Sequence, residues 1–548
     1  MNARHLFRGL AFAGLLGFGS IAAAAKFEII NIDPPGVGFN DPTPATPLGG
    51  NPGTTVGAQR LNAYQRALDL WGSVLKSKVT IHVVGSFSAF PANLCTPTGG
   101  TLARAGAIQI FANFPNAPKK DTWYGVALAN SLAGEDLAPG DLTAATGYVG
   151  ADIVAQFNGG IGTPTCIANS TWYYGLDNNA PTGTIDFLNT FMHEVAHGLG
   201  FANFISEDDG LPPVYPDFPY PDIYERHTLD TTLNKTWDKL TPEQIILSAR
   251  NTDHVVWNGK QVDKSAPLVL GPYEYLNVTS PAAIAGEKPV GFADFGAAPT
   301  TANFNGEVVL GVAADGSGST LGCGAISPAV TGKIALVDRG TCGFVVKAAN
   351  AQAAGAKAVL IANNAPGVAG MGGADPNVTI PALMISQADG VAFKANLPVQ
   401  VAWSIDPNRL AGTDDKKRVK LYAPATLALG SSISHFDTSA EPSLLMEPAI
   451  TSDLKAATNV DLTGQLFKDI GWPLETLKIG ACDTKVTNIT PVGDIISTQI
   501  AQCAADTDSR GEFVGCAAHV ALGLKFQGFI NLQDALRIAV CAALVRNP

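Results

Sequence analysis

The chain has 548 residues, which corresponds to roughly three globular domains at about 150 residues each. Hydrophobic residues make up 46% and charged residues only 15%, a composition typical of compact globular proteins and unlike that of disordered or coiled-coil chains. The formal net charge of -12 argues against nucleic acid as a partner, because nucleic-acid binding requires a basic face.

Residues 1–25 have the pattern of a cleaved secretory signal. Arg4 and Arg8 precede a short apolar run that ends in small residues before Lys26, an order typical of such signals. A membrane anchor is the alternative, but the apolar run is short, and no later stretch reaches about 18 unbroken apolar residues. We therefore expect a mature chain without a membrane span that is secreted or periplasmic.

Residues 26–264 have the pattern of an α+β domain. After a Pro/Gly-rich opening, apolar residues at helical spacing in Ala58–Ser77 predict an amphipathic helix. Short β-rich runs bounded by Gly, Pro and Asn are predicted as strands at Lys78–Phe87, Ala107–Phe114 and Ala151–Asn158. This order favours a helix packed on a small sheet.

A second helix is predicted over Thr184–Gly200. Thr182 or Thr184 can cap its start, and Gly198 and Gly200 mark its end. The sequence HEVAH lies within this helix.

Residues 265–408 differ in composition from the preceding part, since they are rich in Ala, Gly and Val and contain no histidine. A β-run at Ile334–Val337, an Ala-rich helical stretch and a second β-run at Ala358–Ala362 form a βαβ-like pattern. The sequence GKIALVDRG, followed by Cys342, Phe344 and AGAKAV, closely resembles the protease-associated (PA) domain, a non-catalytic module of several peptidase families. An ordinary α/β subdomain is the alternative.

Residues 409–476 follow the PA-like segment and precede a Cys-rich tail at residues 477–548. The tail holds four of the eight cysteines and ends in a helical pattern at Asn531–Val545, so we expect a small disulfide-rich helical domain. The other four cysteines form two groups along the chain. Spacing does not fix their connectivity, but export and grouping favour pairing within domains, as Cys95–Cys166 and Cys323–Cys342.

Two acidic stretches raise the question of calcium. DTDSRGEF in the tail is similar to the start of a calcium loop, but Ala517 occupies the twelfth position, where such loops carry Glu. The run SEDDG at Ser206–Gly210 is interpreted as a solvated loop, with Ca²⁺ binding as the alternative.

HEVAH has the spacing of a zinc-protease sequence. On a helix, His193 and His197 lie one turn apart, so both imidazoles can reach one ion at about 2.0–2.1 Å. Glu194 is rotated off that face by about 100° and is suited to hold a water molecule and take its proton. The metal would lower the pKa of this water to around 7 and polarise the scissile carbonyl.

The third ligand does not lie next to the helix. In the short form of the motif it would come three residues after Gly200, where Asn203 offers only a neutral amide. The remaining histidines of the mature chain are candidates: His82, His227, His254, His435 and His519. A glutamate, as in gluzincins, is the alternative, with Glu207, Glu225 and Glu243 as candidates.

A resemblance to a family narrows this choice. HEVAHGLGF, together with SHFDTSAEPSLLMEP around His435 and Met446, is similar to the leishmanolysin family of metzincin zinc metalloproteases (peptidase family M8) over about residues 26–475. In that family an insertion displaces the third histidine far downstream, and a methionine turn underlies the zinc site. The resemblance implies that His193, His197 and His435 bind one zinc ion, that Glu194 is the general base, and that Met446 packs beneath the site without binding zinc.

The resemblance also implies a metzincin-like α+β catalytic domain made of residues 26–264 and 409–476 and interrupted by the insert. Such an insertion is tolerated because the entropy cost of loop closure grows only logarithmically with length. The implied function is a secreted zinc metalloendopeptidase acting on proteins or peptides. The second hypothesis is a weak or inactive protein of the same fold that binds peptides or surface polymers through its PA-like segment, although such a protein has no need of Glu194.

Overall fold

The computed structural model describes residues 25–97, 99–143, 147–211, 219–373 and 375–546. The predicted signal peptide, apart from Ala25, lies outside these ranges. The described chain has a mixed α/β fold with four hydrophobic clusters. One cluster, here called the first core, draws on residues 25–270 and 419–495; two lie within 276–403, and one lies within 477–542. Within the described ranges, no helix combines the length and apolarity needed to cross a membrane.

The first part of the chain is built on a four-stranded sheet. Its elements in chain order are β1 (Phe27–Asn31), α1 (Val56–Val74), β2 (Ile81–Ser88), β3 (Cys95–Thr96), β4 (Gly99–Gly100), β5 (Ala103–Ala107), β6 (Ile110–Phe111), β7 (Tyr124–Gly125), α2 (Val126–Ala133), β8 (Ile153–Asn158), β9 (Thr171–Tyr173), β10 (Thr184–Asp186) and α3 (Phe187–Gly198). The sheet order is β1-β2-β8-β5, in which β5 runs antiparallel to β8 and the other pairs are parallel.

Most of the predicted elements in this part are present, but the strand predicted at Ala107–Phe114 is wrong over most of its length. The edge strand β5 ends at Ala107, and only the two residues of β6 pair further on. The sequence of β5, ARAGA, has little intrinsic strand preference. It forms a strand because its backbone pairs with β8 at the edge of the sheet, which a reading of local pattern does not detect.

Helices α1 and α3 pack together in the first core. Thr55 caps α1 by accepting the backbone N–H of Ala58 at 3.2 Å. The ring centroids of Tyr64 on α1 and Phe191 on α3 are 3.9 Å apart, and the Trp71 indole N–H donates to the carbonyl oxygen of Met192 at 3.0 Å. These contacts fix α3 against α1 through both apolar packing and a buried hydrogen bond.

A three-stranded antiparallel sheet and two helices follow α3. These elements are β11 (Thr228–Asp230), β12 (Lys235–Thr236), α4 (Pro242–Ser248), β13 (Val255–Trp257) and α5 (Lys260–Val269), with the strand order β12-β11-β13. Val262 and Ala266 of α5, and Leu270 after it, are buried in the first core. The chain up to residue 270 therefore packs with the first part of the molecule.

Residues 272–410 form a separate eight-stranded sheet with two helices. The elements are β14 (Pro272–Ser280), β15 (Gly286–Lys288), β16 (Val290–Phe292), β17 (Asn305–Leu310), β18 (Ile334–Asp338), α6 (Phe344–Ala353), β19 (Ala358–Ala362), β20 (Ala382–Ile385), α7 (Gln387–Ala395) and β21 (Val399–Leu410). The strand order is β15-β14-β21-β17-β18-β19-β20-β16, and β17 to β20 are parallel. The predicted βαβ pattern is confirmed as β18–α6–β19.

The two ends of this insert lie side by side. Pro272 at the start of β14 pairs with Leu410 at the end of β21, and the Ala411 N–H donates to the Gly271 carbonyl oxygen at 3.0 Å. The Gly271 N–H in turn donates to the carbonyl oxygen of Glu441 at 2.7 Å. The chain thus leaves and re-enters the first core at one point, so the insert adds little constraint to the segments that flank it.

After the insert, α8 (Thr463–Ile470) completes the first core, and a small C-terminal unit follows. This unit consists of β22 (Thr476–Ile479), β23 (Cys482–Thr487), α9 (Ile496–Ala505), α10 (Arg510–Phe526) and α11 (Leu532–Leu544). It therefore contains a β-hairpin in addition to the predicted helices. The stretch DTDSRGEF, considered above as a calcium loop, provides the N-cap of α10, where Ser509 and Glu512 form a capping box.

All eight cysteines form disulfides within these units. The predicted pairs Cys95–Cys166 and Cys323–Cys342 are confirmed, and the tail contains Cys482–Cys541 and Cys503–Cys516. No disulfide joins the insert to the rest of the chain, so the insert is covalently attached only through its two adjacent ends.

We predict that a four-residue Gly/Ser linker between Gly271 and Ala411 can replace residues 272–410 without unfolding the remainder. The linker spans two residues that already share a hydrogen bond, so the change in loop-closure entropy is small. Differential scanning calorimetry should show cooperative unfolding of the shortened chain within about 5 °C of the corresponding transition in the full chain, since about 1 kcal/mol shifts Tm by roughly 2–4 °C at this size. Placing the same linker after Gly259 also removes α5 from the first core, and this control should not fold. An insoluble or non-cooperative shortened chain would contradict the prediction.

Candidate metal centre

Helix α3 starts directly from the short strand β10. The Asp186 carboxylate caps the helix by accepting the Asn189 backbone N–H at 2.9 Å. The predicted caps are wrong, because Thr184 lies in β10 and its hydroxyl donates to the carbonyl oxygen of Pro181. The Asn178 side chain donates to Asp186 at 3.2 Å and to Asn189 at 2.7 Å, and so holds the first turn of the helix in place.

Every residue of α3 is buried, which requires a close fit to the sheet beneath it. At Gly198, a Cβ atom would lie 2.3 Å from the Ile153 side chain on β8, so only glycine allows this approach. The glycine in HEVAHG therefore sets the distance between the helix and the sheet.

The turn after α3 orients the second histidine. Gly200 has a φ of 114°, which favours glycine, and it lets the Phe201 N–H donate back to the carbonyl oxygen of Ala196 at 3.0 Å. Because the chain changes direction at this turn, the Phe201 carbonyl oxygen lies 2.8 Å from Nδ1 of His197. The sequence HGLGF thus ends the helix and supplies the acceptor that fixes the His197 ring.

His435 reaches the same place from the loop between β21 and α8. Backbone hydrogen bonds hold this loop: the Tyr422 N–H donates to the His435 carbonyl oxygen at 2.9 Å, and the Ile433 N–H donates to the Tyr422 carbonyl oxygen at 2.7 Å. Ile433 has a φ of 65°, an unfavourable conformation for a β-branched residue that the surrounding hydrogen bonds impose. The Nδ1 atom of His435 lies 2.7 Å from the carbonyl oxygen of Ser431.

The structure brings His193, His197 and His435 together at one point. The Nε2 atom of His193 lies 3.1 Å from Nε2 of His197 and 3.1 Å from Nε2 of His435. Two nitrogens that share a tetrahedral ion at about 2.0–2.1 Å are about 3.3–3.4 Å apart, so this spacing fits a single cation. Among the described residues, these three form the only group of at least three His, Cys, Asp or Glu side chains with metal-ligand spacing.

The hydrogen bonds of the three Nδ1 atoms determine which nitrogen of each imidazole ring carries the proton. Each Nδ1 faces a backbone carbonyl oxygen, from Leu445 at 2.7 Å in the case of His193, and from Phe201 and Ser431 in the other two. A carbonyl oxygen can only accept, so each Nδ1 carries the proton and each neutral ring directs an Nε2 lone pair at the shared point. Three lone pairs within hydrogen-bond distance repel one another unless a cation lies between them.

Burial keeps these rings neutral. Desolvation lowers the pKa of His193 to about 3, with a smaller contribution from neighbouring His197, and lowers the pKa of His197 to about 4. The pKa of His435 is also well below its ordinary value, mainly because of burial. The neutral imidazole is the form that binds a metal, so the three rings are prepared as ligands at neutral pH.

Glu194 follows the first histidine on α3, and its side chain is only 6% exposed. Within the described part of the chain, its carboxylate forms no hydrogen bond or ion pair with another residue. Burial raises the pKa of Glu194 to about 8. A buried carboxyl group without a protein partner is costly, and such groups are characteristic of sites where a water molecule, a cation or a substrate completes the environment.

The turn that contains Met446 connects the two ligand-bearing segments. The Leu445 carbonyl oxygen accepts the His193 ring N–H, and the Met446 carbonyl oxygen accepts the Phe436 N–H at 2.8 Å, one residue after His435. Met446 itself is fully buried in the first core. The turn therefore links the orientation of the first and third histidines through its backbone.

Asp461, which the sequence did not single out, supports this turn. Its carboxylate accepts the Leu445 N–H from one side and the backbone N–H and hydroxyl of Thr463 from the other. A continuous path runs from Asp461 through the Leu445 peptide to the ring of His193. No local sequence signal distinguishes Asp461, because the partner that connects it to the site, the Leu445 N–H, lies in a turn sixteen residues upstream.

Asn203 and the alternative ligands lie elsewhere. The Asn203 amide donates to the carbonyl oxygen of Ile205 at 3.0 Å and accepts from the hydroxyl of Ser434. None of the alternative glutamates belongs to the metal-ligand group, and Glu225 instead accepts the Asp222 N–H at 2.9 Å. The other histidines, His82, His227, His254 and His519, also lie outside it.

The structure lends no support to calcium. No cluster of three acidic ligands with metal-binding spacing occurs in the described ranges. In the run Ser206–Gly210, the Asp209 carboxylate accepts the Leu211 N–H at 3.0 Å, and the Gly210 N–H donates to Ser206 at 2.8 Å. These contacts make the run an ordinary hydrogen-bonded turn.

Comparison with known protein families identifies the insert. Residues 304–393 match the family model described as "PA domain". The chain therefore contains a PA domain, which confirms the prediction made from GKIALVDRG and AGAKAV. The matched residues run from β17 to α7 and include the central parallel strands of the eight-stranded sheet.

The other comparisons each cover a minor part of the chain. The chain is 40% identical over 79 residues to "Signal peptide peptidase-like 3" from Arabidopsis thaliana, a match that covers 14% of this chain and 15% of that protein. A zinc aminopeptidase from Bacillus subtilis is 22% identical, with 27% of this chain and 37% of that chain covered and a TM-score of 0.19. An aminopeptidase from Aneurinibacillus sp. strain AM-1 is 21% identical, with 34% and 42% covered and a TM-score of 0.18. TM-scores this low do not define a fold, and no functional conclusion follows from them.

We predict that Asp461→Ala weakens metal binding although Asp461 is not a ligand. The change leaves the Leu445 N–H buried and unpaired, at a cost of about 1–3 kcal/mol in folding stability, and loosens the acceptor of His193. Competitive zinc titration should show affinity about 10–100-fold lower, as expected for loss of a residue that orients a ligand. Asp453→Ala is the matched control, because Asp453 accepts the Ser443 N–H of the same loop at 3.1 Å but has no connection to a histidine. Equal zinc affinities in the two variants would rule out this role.

A second titration compares His435→Ala with Asn203→Ala. Removing His435 leaves two imidazoles where catalytic zinc sites have three protein ligands, so zinc affinity should fall by more than the roughly 100-fold limit of an indirect effect. Asn203→Ala should change the affinity by no more than a few-fold, since its amide contacts Ile205 and Ser434. The reverse result would show that the ligand lies next to the helix.

Proposed function

We propose that the protein is a secreted zinc metalloendopeptidase of the leishmanolysin-like metzincin type. Residues 26–270 and 411–476 form its catalytic domain, and the PA domain is inserted between them. The observation that carries the proposal is the convergence of the Nε2 atoms of His193, His197 and His435, together with the carboxylate of Glu194, which is buried on the same helix as the first two and has no partner among the described residues.

Zinc is the metal that best fits the donor set. Three neutral imidazoles without a thiolate or a second carboxylate ligand match a catalytic zinc site with one open position. Bound there, zinc would supply Lewis-acid chemistry, lowering the pKa of a water molecule to about 7 and polarising a peptide carbonyl. Imidazole also accepts other first-row metals, so metal content has to be measured on the purified protein.

Glu194 performs the proton transfers. Its position on α3, next to His193 but rotated by about 100°, keeps it out of the ligand set and within reach of a water molecule at the site. The carboxylate takes a proton from this water while the water oxygen attacks the peptide carbonyl carbon. The same proton then passes to the amide nitrogen as the C–N bond breaks, which releases an amine and a carboxylic acid, and the acid then loses its proton to the amine or to water.

The edge of the sheet supports an endopeptidase rather than an enzyme that requires a free chain end. Helix α3 contacts β5, whose outer edge pairs with no other described strand. An extended peptide can add to such an edge through backbone hydrogen bonds, with residues continuing on both sides of the scissile bond. This arrangement makes internal peptide bonds accessible.

Two further features support an extracellular location. All eight cysteines are paired, which is typical of proteins that fold in an oxidising compartment. The predicted signal at residues 1–25 has the composition of an export sequence.

We predict that Glu194→Gln abolishes hydrolysis while bound zinc stays near one ion per chain. Gln keeps the shape of the side chain but cannot take a proton, and loss of a general base lowers kcat by at least about 10²–10⁴-fold. The assay uses peptides with a blocked N-terminus, because cleavage of such peptides distinguishes an endopeptidase from an aminopeptidase.

Glu207→Gln is the matched control, since Glu207 lies beyond the same helix but outside the metal-ligand group. It should retain activity and zinc. Near-normal turnover by Glu194→Gln would reject the general-base assignment. A wild-type protein that binds zinc and peptides but cleaves neither blocked nor free peptides would favour the binding-module hypothesis.

A further inference from the structure

The last helix of the chain is apolar on two faces. Among the thirteen residues of α11, only Gln533, Asp534 and Arg537 are polar, and all of them lie in its first two turns. One face, with Ala535, Ile538, Cys541 and Ala542, is buried in the C-terminal unit. A helix that is apolar all round is normally covered on all sides, so the second face requires a partner.

The uncovered face forms a continuous apolar stripe. Leu532, Leu536, Val540 and Leu544 follow one another at intervals of four residues and are 57–65% exposed. Residues four apart lie above one another on a helix, so these side chains form one row. Phe526, which is 77% exposed at the end of α10, is separated from this row by a short turn. We call these five residues the C-terminal stripe.

The size of the stripe matches an interface. Five exposed side chains of this kind present on the order of 500 Å² of apolar area. This area is comparable to the largest apolar patches on monomers, which are often functional. It also amounts to much of the roughly 800 Å² that each partner buries in a standard interface. Surrounding polar residues would complete the contact, as in the rim of a typical interface.

The charge of the C-terminal unit favours a second copy of this chain as the partner. Residues 477–548 contain six Lys or Arg and six Asp or Glu, so they carry no net charge, whereas the whole chain carries -12. On α11 itself, Arg537 and Asp534 neutralise each other in an ion pair at 3.1 Å. Two copies can therefore meet through this unit without the repulsion that their remaining surfaces would produce. Helices that bind anionic membranes carry an excess of Lys and Arg, which α11 lacks.

The order of residues in the row permits two-fold pairing. Leu532 and Leu544 are equally distant from the middle of the row, and so are Leu536 and Val540. In an antiparallel arrangement of two α11 helices, Leu532 of each copy faces Leu544 of the other, and Leu536 faces Val540. An interface of this kind is self-complementary and closes at two copies. We propose that the C-terminal stripe is the interface of a homodimer formed by antiparallel packing of α11 against α11 of a second copy.

The test measures the mass of the purified chain without its predicted leader by sedimentation velocity over a range of concentrations. The wild type should have twice the chain mass at low micromolar concentrations. The double variant Leu536→Glu/Val540→Glu places four carboxylates at the centre of the interface and should weaken association by at least about 100-fold. Leu247→Glu is the matched control, because Leu247 is 72% exposed on α4, outside the stripe, and this variant should remain dimeric.

A charge exchange separates loss of pairing from loss of folding. Mixing the Glu/Glu variant with the corresponding Leu536→Lys/Val540→Lys variant should restore a dimer that neither forms alone. A wild type that stays monomeric up to about 50 μM, or a Glu/Glu variant that dimerises as well as the wild type, would overturn the proposal. Binding of a monomeric wild type to phosphatidylcholine vesicles, lost in the Glu/Glu variant, would likewise overturn it and assign the stripe to a lipid surface.

Discussion

Three hydrogen bonds from imidazole rings to backbone carbonyl oxygens determine how His193, His197 and His435 are oriented toward one another. The acceptors Phe201, Ser431 and Leu445 come from the turn after α3, the loop before His435 and the turn that contains Met446. Each bond fixes which ring nitrogen carries the proton and therefore where the free lone pair points. Because the acceptors belong to three different segments, the site forms only when these segments are packed against one another in the first core.

This dependence explains how the rest of the molecule is arranged. Helix α3 is fully buried and held against α1 and the sheet, so His193 and His197 have a rigid support. The loop with His435 is held by backbone hydrogen bonds to Tyr422 and to Met446. A large insert between these segments is compatible with a precise site because its ends meet at Gly271 and Ala411, and the PA domain buries its own two hydrophobic clusters.

Two buried acidic residues, Asp461 and Glu194, differ in their hydrogen-bond partners. Asp461 is buried and is not one of the three potential ligands, yet its carboxylate accepts the Leu445 N–H, and the Leu445 carbonyl oxygen accepts the His193 ring N–H. Glu194, in contrast, is buried and its carboxylate has no partner among the described residues. One acidic residue is therefore bonded within the protein, while the other has no described hydrogen bond. Burial raises the pKa of both, but the hydrogen bonds to Asp461 oppose this rise.

The sequence by itself determined the features that depend on short-range pattern. The four-residue spacing of His193 and His197 on a helix, the place of Glu194 between them and the PA-domain segment could all be predicted, as could two disulfide pairs. Periodicity and close spacing encode such features because the residues involved are neighbours along the chain. The residues alone left five histidines as candidates for the third ligand. The resemblance to a family then indicated His435.

Only the tertiary structure decided which groups meet across long distances. It formed the edge strand β5 from residues with little strand preference, placed His435 beside α3, and provided the carbonyl acceptors and Asp461. Any residue offers a carbonyl oxygen, so the sequence cannot mark the three that act here. Their selection depends on how segments hundreds of residues apart pack in one core, and this packing is a property of the whole fold rather than of any local stretch.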